Sequence, residues 1–217
     1  VGLEMLNPDG STRWCIASRA AEWKQGHLDC CRVVRQEARP EDWRLALTYC
    51  SANVLAMIDG TGAVVWELTG KHFESLDVGR MRPDLPGLQL LVDVAWTGLG
   101  PSPLWVVSEH GEQISEMRVN NSRFHHLLDW TGSGIDSLVV GIDHAIYDGD
   151  GHRLATLAID PYDQALAVHL GNMTGSGATD ILLTTRFGTA AYIYRNPNLA
   201  AADSPAPLGT GVNVTLY

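Results

Sequence analysis

The sequence has no hydrophobic run long enough to cross a membrane as a helix. Its longest apolar stretches, such as "LQLLVDVAW" and "DSLVVGI", have the length of a β-strand and include acidic residues. A membrane-spanning helix needs about 20 consecutive, mostly apolar residues. We therefore expect no membrane partner for this chain.

Positive charge is also scarce. The 217 residues include 15 Lys and Arg against 25 Asp and Glu, which gives a formal net charge of −10 at pH 7. Proteins that bind the phosphate backbone of nucleic acids carry clustered positive charge. The composition thus predicts no nucleic-acid partner.

Cysteine is the third scarce residue, and all four cysteines lie in the first quarter of the chain: Cys15, Cys30, Cys31 and Cys50. A chain of this length can bury a hydrophobic core without disulfides. Cys30 and Cys31 are adjacent, so on a strand their side chains point to opposite faces and cannot bind one ion together. Two interpretations remain. Either the cysteines are small buried hydrophobic residues, which we favour, or a disulfide joins Cys15 to Cys50.

What the sequence does contain is a repeated β-hairpin. Four segments share one order, an apolar strand, a turn with glycine and a second strand: "LEMLNPDGSTRWCIA", "VLAMIDGTGAVVWELTG", "PLWVVSEHGEQISEMRV" and "AIYDGDGHRLATLAI". Their turn glycines are Gly10, Gly62, Gly111 and Gly151. Turn residues of this kind between β-forming residues indicate hairpins. "DGDG", residues 148–151, is accordingly interpreted as a turn rather than a metal site.

A second motif follows each hairpin. It is a histidine-bearing strand, a loop rich in Gly, Pro or acidic residues, and a strongly apolar strand, as in "VHLGNMTGSGATDILLTTR". Four short strands in a repeat of about 40 to 50 residues are typical of β-propeller blades. We predict an all-β protein, a single β-propeller domain over residues 1–217 with about four four-stranded blades. Trp14 and Trp66 each follow a turn glycine by four residues and are expected to pack between blades.

The number of blades bears on how much of a propeller this chain represents. Propellers usually close with more blades than the repeats found here. The sequence also opens on Val1, without an initiator Met or the features of a signal peptide. We expect a fragment of a larger propeller that lacks upstream blades. The alternatives are an unusually small propeller, an association of two chains and, for the fold itself, a β-sandwich.

The histidine-bearing strands supply the candidate site. When they are aligned on Arg32, Asp77, Asp129 and Asn172, the positions three and five residues earlier share one face of each strand. These positions hold His27 with Asp29, His72 with Glu74, Phe124 with His126, and Ala167 with His169. Inner strands of a propeller line its axis, so we expect these side chains to converge. They either cap the inner strands or form a binding or catalytic site. Zinc is a lesser alternative, because no H-E-x-x-H pair is present.

Two loops, "DWTGSGID" and "NMTGSGATD", resemble the D-x-D-G-D-G calcium loops of FG-GAP-type propellers. Thr and Ser replace the acidic residues at their third and fifth positions, and fewer carboxylates weaken the attraction for Ca²⁺. The favoured interpretation is a turn held by hydroxyl-to-backbone hydrogen bonds. The alternative is a retained calcium site with ligands among Asp129, Asp136, Asn172 and Asp180.

These motifs, with "HFESLDVGRMRPDLPGLQLLVDV", together resemble the β-propeller polysaccharide lyases of the rhamnogalacturonan-lyase type and the related FG-GAP-like repeats. The resemblance implies an extracellular or periplasmic protein that acts on an acidic polysaccharide or oligosaccharide by β-elimination. His72 or His126 would be the base and Arg80 would neutralise a uronate. The substrate-binding residues would be His27, Asp29, Glu74 and His169. The alternative is a non-catalytic FG-GAP-like module that binds carbohydrate or protein.

Overall fold

A computed structural model describes residues 3–16, 27–94, 101–120 and 124–197. Within these ranges the regular structure is almost entirely β. The strands are β1 (Glu4–Leu6), β2 (Thr12–Cys15), β3 (Leu28–Arg35), β4 (Arg44–Tyr49), β5 (Val54–Ile58), β6 (Val64–Thr69), β7 (Leu76–Gly79), β8 (Gln89–Asp93), β9 (Pro101–Ser108), β10 (Gln113–Asn120), β11 (His125–Leu128), β12 (Ser137–Val140), β13 (Ala145–Tyr147), β14 (Arg153–Thr156), β15 (Ala165–Gly171), β16 (Asp180–Thr185) and β17 (Ala191–Tyr194), with a 3₁₀ turn at Pro40–Asp42.

The strands form antiparallel sheets in which sequence neighbours pair. Three sheets have four strands, β3 to β6, β7 to β10 and β11 to β14, while β15 to β17 form a three-stranded sheet and β1 pairs with β2. The first strands of successive sheets are neighbours, β3 beside β7, β7 beside β11 and β11 beside β15. The sheets are therefore blades of a β-propeller, as the sequence predicts, and not the two layers of a sandwich.

The core lies between blades because the middle strands are buried on both faces. In β5, Leu55 and Met57 pack towards the next blade, against residues such as Leu90. The alternate residues Val54 and Ile58 face the preceding blade. Side chains alternate along a strand, so an uninterrupted apolar strand supplies two interfaces. Each blade therefore needs its neighbours.

The four hairpin turns have the predicted geometry. Gly10, Gly62, Gly111 and Gly151 all have φ between +83° and +88°, a region that glycine adopts without steric cost. The Trp14 ring packs against Gly62 of the next blade, and its Nε1 donates to the Gly60 carbonyl at 2.8 Å. Trp66 packs against Gly111 in the same way. Packing of both tryptophans between blades is confirmed.

The four cysteines are not joined in disulfides. Cys15 is exposed on β2, whereas Cys50 is buried in the turn after β4. Cys30 is also buried, and its Sγ lies 3.4 Å from the Leu76 carbonyl oxygen of the next blade. In the described part of the chain, no helix has the length and apolar character needed to span a bilayer.

Candidate functional site

One end of the blades gathers residues from three separate turns. His27 directly precedes β3, and its carbonyl accepts a hydrogen bond from the backbone N–H of Cys50 in the turn after β4. The next blade joins at the same end, because Thr48 Oγ1 donates to the Glu74 carbonyl at 2.5 Å. We call the side chains that meet here the Cys50 cluster: His27, Asp29, Cys50, His72 and Glu74.

Cys50 lies at the centre of this cluster. Its Sγ is 2.8 Å from His72 Nε2 and 3.6 Å from Glu74 Oε1. The other ring nitrogen of His72, Nδ1, is 3.6 Å from Glu74 Oε1. Cys50 and Glu74 are buried, at 2% and 4% exposure, while His72 is half-buried. Thiol, imidazole and carboxylate therefore meet with little solvent between them.

The preceding blade contributes the other side of the cluster. Asp29 Oδ1 is 3.0 Å from His27 Nε2, and His27 Nδ1 is 3.1 Å from Ser51 Oγ. The second carboxylate oxygen, Asp29 Oδ2, is buried and has no hydrogen-bond partner among the described residues. Potential ligand atoms of His27, Asp29 and Cys50 all lie within 4.8 Å of one another, as do those of Cys50, His72 and Glu74. Cys50 belongs to both triads.

Negative charge dominates the electrostatics of the Cys50 cluster. Burial raises the pKa of the Cys50 thiol, and the neighbouring carboxylates of Asp29 and Glu74 raise it further. Burial also raises the pKa of Asp29, against the lowering effect of His27. Behind the cluster, Asp93 Oδ1 accepts the backbone N–H groups of Glu74 and Ser75 at 3.0 and 2.7 Å, yet burial raises the pKa of Asp93 to about 6.

A second group, the Asp77 cluster, lies along the middle of the inner strands and comprises Arg32, Asp77, His125, His126 and His169. Asp77 Oδ2 is 3.1 Å from His125 Nδ1 and 3.5 Å from His126 Nδ1. Arg32 Nε approaches Asp77 Oδ1 at 3.7 Å. The buried His125 also has its Nε2 3.0 Å from Ser75 Oγ. Three successive blades thus contribute to one network.

Two histidines of the Asp77 cluster, His126 and His169, reach the surface, whereas Asp77 is buried. Burial alone would raise the pKa of Asp77, but hydrogen bonds from His125 and His126, together with their charge, hold it below its ordinary value. The His126 side chain is 22% exposed. His169 is exposed, and partial burial together with the charge of His126 lowers its pKa. Asp77 is therefore an ionised carboxylate beneath imidazoles that solvent can reach.

The strand register corrects the alignment of the histidines. Asp77, His126 and His169 each lie two residues before the end of their inner strand, and they occupy one level of the blades. His27 and His72 lie at the start of the inner strands instead. The sequence alignment placed Arg32 and Asp77 at loop openings, but β3 and β7 continue past them. β3 also has two register shifts, which spacing alone does not predict.

Arg80 lies at the opposite end of β7 from His72. The four-residue strand between them spans roughly 13 Å at the rise of a β-strand. The backbone of Arg80 is fixed by the next blade, since its N–H donates to Asp136 Oδ2 at 2.7 Å and its carbonyl accepts the Asp136 N–H. A Cβ on Gly79 would lie 2.5 Å from Asp136 Oδ2. The structure thus does not bring His72, His126 and Arg80 together.

The predicted calcium residues lie at this opposite end too. Asp129 accepts the N–H groups of Ser133 and Gly134 at 3.1 and 2.7 Å. Asn172 Oδ1 accepts that of Gly177 at 3.2 Å. Asp180 Oδ2 accepts those of Met173 and Thr174 at 2.9 and 2.8 Å. These contacts are those of loops held by side-chain-to-backbone hydrogen bonds, and calcium binding stays a prediction.

The "DGDG" segment is a hairpin turn, as predicted. It connects β13 to β14, and the Gly151 N–H donates to the Asp148 carbonyl at 3.1 Å. Asp148 Oδ1 accepts the N–H groups of Asp150 and His152 at 2.9 and 2.8 Å. The acidic side chain therefore closes the turn.

Sequence reasoning missed four residues that the structure brings into the two clusters: Arg32, Cys50, Asp77 and His125. Arg32 and Asp77 served as alignment points and were given no role. His125 points to the other side of β11 from His126 and becomes buried against Asp77. The available signal for Cys50 was its position directly after the uninterrupted apolar strand β4, where a turn reaches the end of a blade.

No protein-family model and no curated protein matches this sequence. Among solved structures, the chain is similar to a protein of unknown function from Bacteroides caccae, at 15% identity and a TM-score of 0.48, over 91% of this chain and 66% of that one. It is also similar to BBS1N, in a lead-soaked crystal of its complex with ARL6DN, at 15% identity and a TM-score of 0.54. That match covers 80% of this chain and 54% of BBS1N. The chain thus spans between about half and two thirds of these structures, and the BBS1N similarity supports the propeller fold alone.

Proposed function

We propose that this chain is a carbohydrate-active β-propeller, a polysaccharide lyase that cleaves a uronate-containing polysaccharide such as rhamnogalacturonan by β-elimination. The observation that supports this most is the Asp77 cluster, in which a partly exposed imidazole, His126, lies over an ionised, buried carboxylate. Such a carboxylate orients the ring and stabilises the imidazolium formed when the ring accepts a proton. His126 is therefore suited to the role of base.

The reaction requires a base and a positive charge near the same sugar. The base removes the proton on C5, next to the uronate carboxylate, a C4–C5 double bond forms, and the C4–O bond breaks. The departing oxygen then takes a proton. Neutralising the carboxylate makes the C5 proton acidic enough to remove. Arg32 and His126 approach the two oxygens of the same carboxylate, Asp77, and in this proposal Arg32 takes the role that the resemblance gave to Arg80.

The other predicted residues have different places in this proposal. His169, whose pKa is lowered, is neutral at neutral pH and suited to bind sugar hydroxyls or to serve as a second base. His27, Asp29, His72 and Glu74 belong to the Cys50 cluster at the strand starts and would contact only a longer oligosaccharide. Calcium remains a proposal for the opposite end. Its ligands there would come from Asp129, Asp136, Asn172 and Asp180.

A non-catalytic propeller that binds carbohydrate or protein is the second candidate. The burial of Asp77 and His125 favours it, because a network that joins three blades also serves the fold without any chemistry. BBS1N, a structurally similar chain, takes part in a complex with ARL6DN. In this alternative, His126 contributes to a binding surface and removes no proton.

The test is to incubate the full chain with rhamnogalacturonan, homogalacturonan and ulvan, with and without a chelator. The ultraviolet absorbance of an unsaturated uronate reports β-elimination. We expect the absorbance to grow with the wild-type chain and to fall by at least about 100-fold in rate with His126→Ala, the usual size of a lost general base. His152→Ala, in an exposed turn, is the control and should keep full activity.

Binding to the same polysaccharides, measured by calorimetry, separates the two candidates. Saturable binding without any growth of absorbance would favour the non-catalytic module. Absorbance growth that His126→Ala leaves unchanged would remove the proposed base. Neither binding nor elimination with any of the three polysaccharides would overturn the carbohydrate function.

A further inference from the structure

The Cys50 cluster is a set of metal-ligating side chains, three of them buried (Asp29, Cys50 and Glu74), that the chemical step of the proposed lyase reaction does not use. It combines one thiol, two imidazoles and two carboxylates, supplied by two adjacent blades. Their arrangement is compact, since both triads that share Cys50 keep their ligand atoms within 4.8 Å. Such a combination of soft and borderline donors suits a transition metal better than Ca²⁺ or Mg²⁺.

One atom in the cluster has no partner that the fold supplies. Asp29 Oδ2 is buried without a hydrogen bond among the described residues, and the side chain of Asp29 is only 1% exposed. A buried carboxylate oxygen without a partner costs free energy. The other oxygen, Oδ1, is held by His27 at 3.0 Å, and a ligand atom of Asp29 lies within 4.8 Å of Cys50. This is the arrangement expected of a ligand positioned by a second residue.

We propose that the Cys50 cluster is a Zn²⁺ site. Cys50 Sγ, His72 Nε2 and Glu74 Oε1, one of the two compact triads, supply three ligands. Asp29, which His27 orients in the other triad, takes the fourth position when the ion draws its carboxylate towards the Cys50 side. On binding, the thiol proton of Cys50 passes to solvent and the thiolate coordinates the ion. The Cys50 Sγ to Glu74 Oε1 distance of 3.6 Å is close to the ligand separation of about 3.5 Å in a tetrahedral zinc site. The 2.8 Å between Cys50 Sγ and His72 Nε2 would lengthen towards the same value when both atoms bind the ion.

The same geometry also resembles a nucleophilic triad, with a thiol, an imidazole and a carboxylate in sequence. Two observations weigh against that reading of Cys50. Cys50 is only 2% exposed, which leaves little access for a substrate. Two carboxylates beside it also disfavour a free thiolate, the form that attacks. A divalent cation removes that penalty by compensating the charge of the carboxylates, so metal binding is the better use of these residues.

Binding at this place would have a structural consequence. Asp29 belongs to β3, while His72 and Glu74 precede β7, so the ion would link two blades at one end. The ligands come from three segments that are distant in the sequence, the start of β3, the turn after β4 and the segment before β7, so the site needs no H-E-x-x-H pair.

Cobalt substitution tests the site directly in the full chain. The protein is treated with a chelator, dialysed and titrated with Co²⁺, followed by Zn²⁺ competition. We expect one equivalent of Co²⁺ with the visible bands of tetrahedral cobalt and a thiolate-to-cobalt charge-transfer band in the near ultraviolet. Zn²⁺ should displace it and raise the melting temperature. Cys50→Ser should lose the charge-transfer band and weaken binding by at least about 100-fold.

Two further variants make the result decisive. Cys15→Ser removes an exposed cysteine outside the cluster and should retain the cobalt spectrum, the stoichiometry and the melting-temperature shift. Asp29→Asn keeps the shape of the side chain and should weaken binding while the charge-transfer band survives. Circular dichroism of each metal-free variant checks the fold. A cobalt spectrum without the thiolate band, or equal affinities of wild type and Cys50→Ser, would overturn the proposal. The elimination assay does not depend on either result, so a failure of the zinc proposal can be told apart from a failure of the proposed lyase function.

Discussion

The Cys50 cluster and the Asp77 cluster each place a buried carboxylate beside imidazoles, but their electrostatics are opposite. In the Asp77 cluster, the buried carboxylate has His125, His126 and Arg32 around it, and its pKa is held low. In the Cys50 cluster, the buried carboxylate of Asp29 has His27 on one oxygen and the Cys50 thiol beside it, and burial raises its pKa. Removing one partner of a paired buried charge destabilises a fold, whereas a buried charge with too few partners itself costs stability. Groups with pKa values perturbed in this way cluster at functional sites.

The largest effect is expected from removing Asp77. Asp77→Ala leaves His125 and Arg32 without their buried partner and should lower the free energy of unfolding by about 3 to 5 kcal/mol. Urea denaturation at pH 7 measures it, with Asp77→Asn as the milder variant and the exposed Asp150→Ala as the control. If Asp77→Ala lowered the free energy of unfolding no more than Asp150→Ala does, the Asp77 cluster would not be a stabilising network.

The pH dependence of the same variant gives a second check. The folded-state pKa of Asp77 is depressed, so its stabilisation is present above its unfolded pKa of about 3.9 and is lost as the pH falls further. The difference between wild type and Asp77→Ala should therefore shrink below about pH 4. A difference that grows on acidification would contradict the assignment of a low pKa.

Asp93 should behave in the opposite way. Its folded-state pKa is raised to about 6, so ionisation above that pH costs stability that is absent near pH 4. Asp93→Asn keeps an acceptor for the N–H groups of Glu74 and Ser75 and should stabilise the protein by about 3 kcal/mol at pH 8. The gain should vanish near pH 4. Stability curves for wild type and variant across this range test it, and a gain that is independent of pH would be evidence against it.

A smaller gain is expected at Asp29. In chelator-treated protein at pH 8, Asp29→Asn should raise the free energy of unfolding by less than Asp93→Asn does, because burial disfavours the charged form of Asp29. With saturating Zn²⁺ the order should reverse, since the wild type gains more from the ion. Chemical denaturation in both conditions measures the pair of values. If Asp29→Asn raised the free energy of unfolding both with and without Zn²⁺, Asp29 would not be a metal ligand.

The repeat made the fold predictable from local features. Turn glycines such as Gly62 need a positive φ, and uninterrupted apolar strands such as β5 need an interface on each face. Both requirements depend on residues only a few positions apart in the sequence. The packing of Trp14 and Trp66 between blades follows from their fixed distance of four residues from the turn glycine. The turn at 148–151 was predictable for the same reason.

The sites were predictable only in part. The sequence identified His126, His169, Asp29 and Glu74 as residues of the inner strands, but not their levels along the blades. β3 has eight residues and two register shifts, whereas β7 has four, so a fixed offset from one residue misaligns them. Cys50 joins His72 only through the contact of two blades, which no local pattern encodes.

The most direct test of zinc binding at the Cys50 cluster is a crystal of the full chain grown with Zn²⁺ after chelator treatment, with anomalous diffraction recorded on both sides of the zinc absorption edge. The account predicts one strong peak about 2.3 Å from Cys50 Sγ and about 2.0 Å from His72 Nε2. A map with no peak there, or with its principal peak at the exposed group of Asp148, Asp150 and His152, would contradict it.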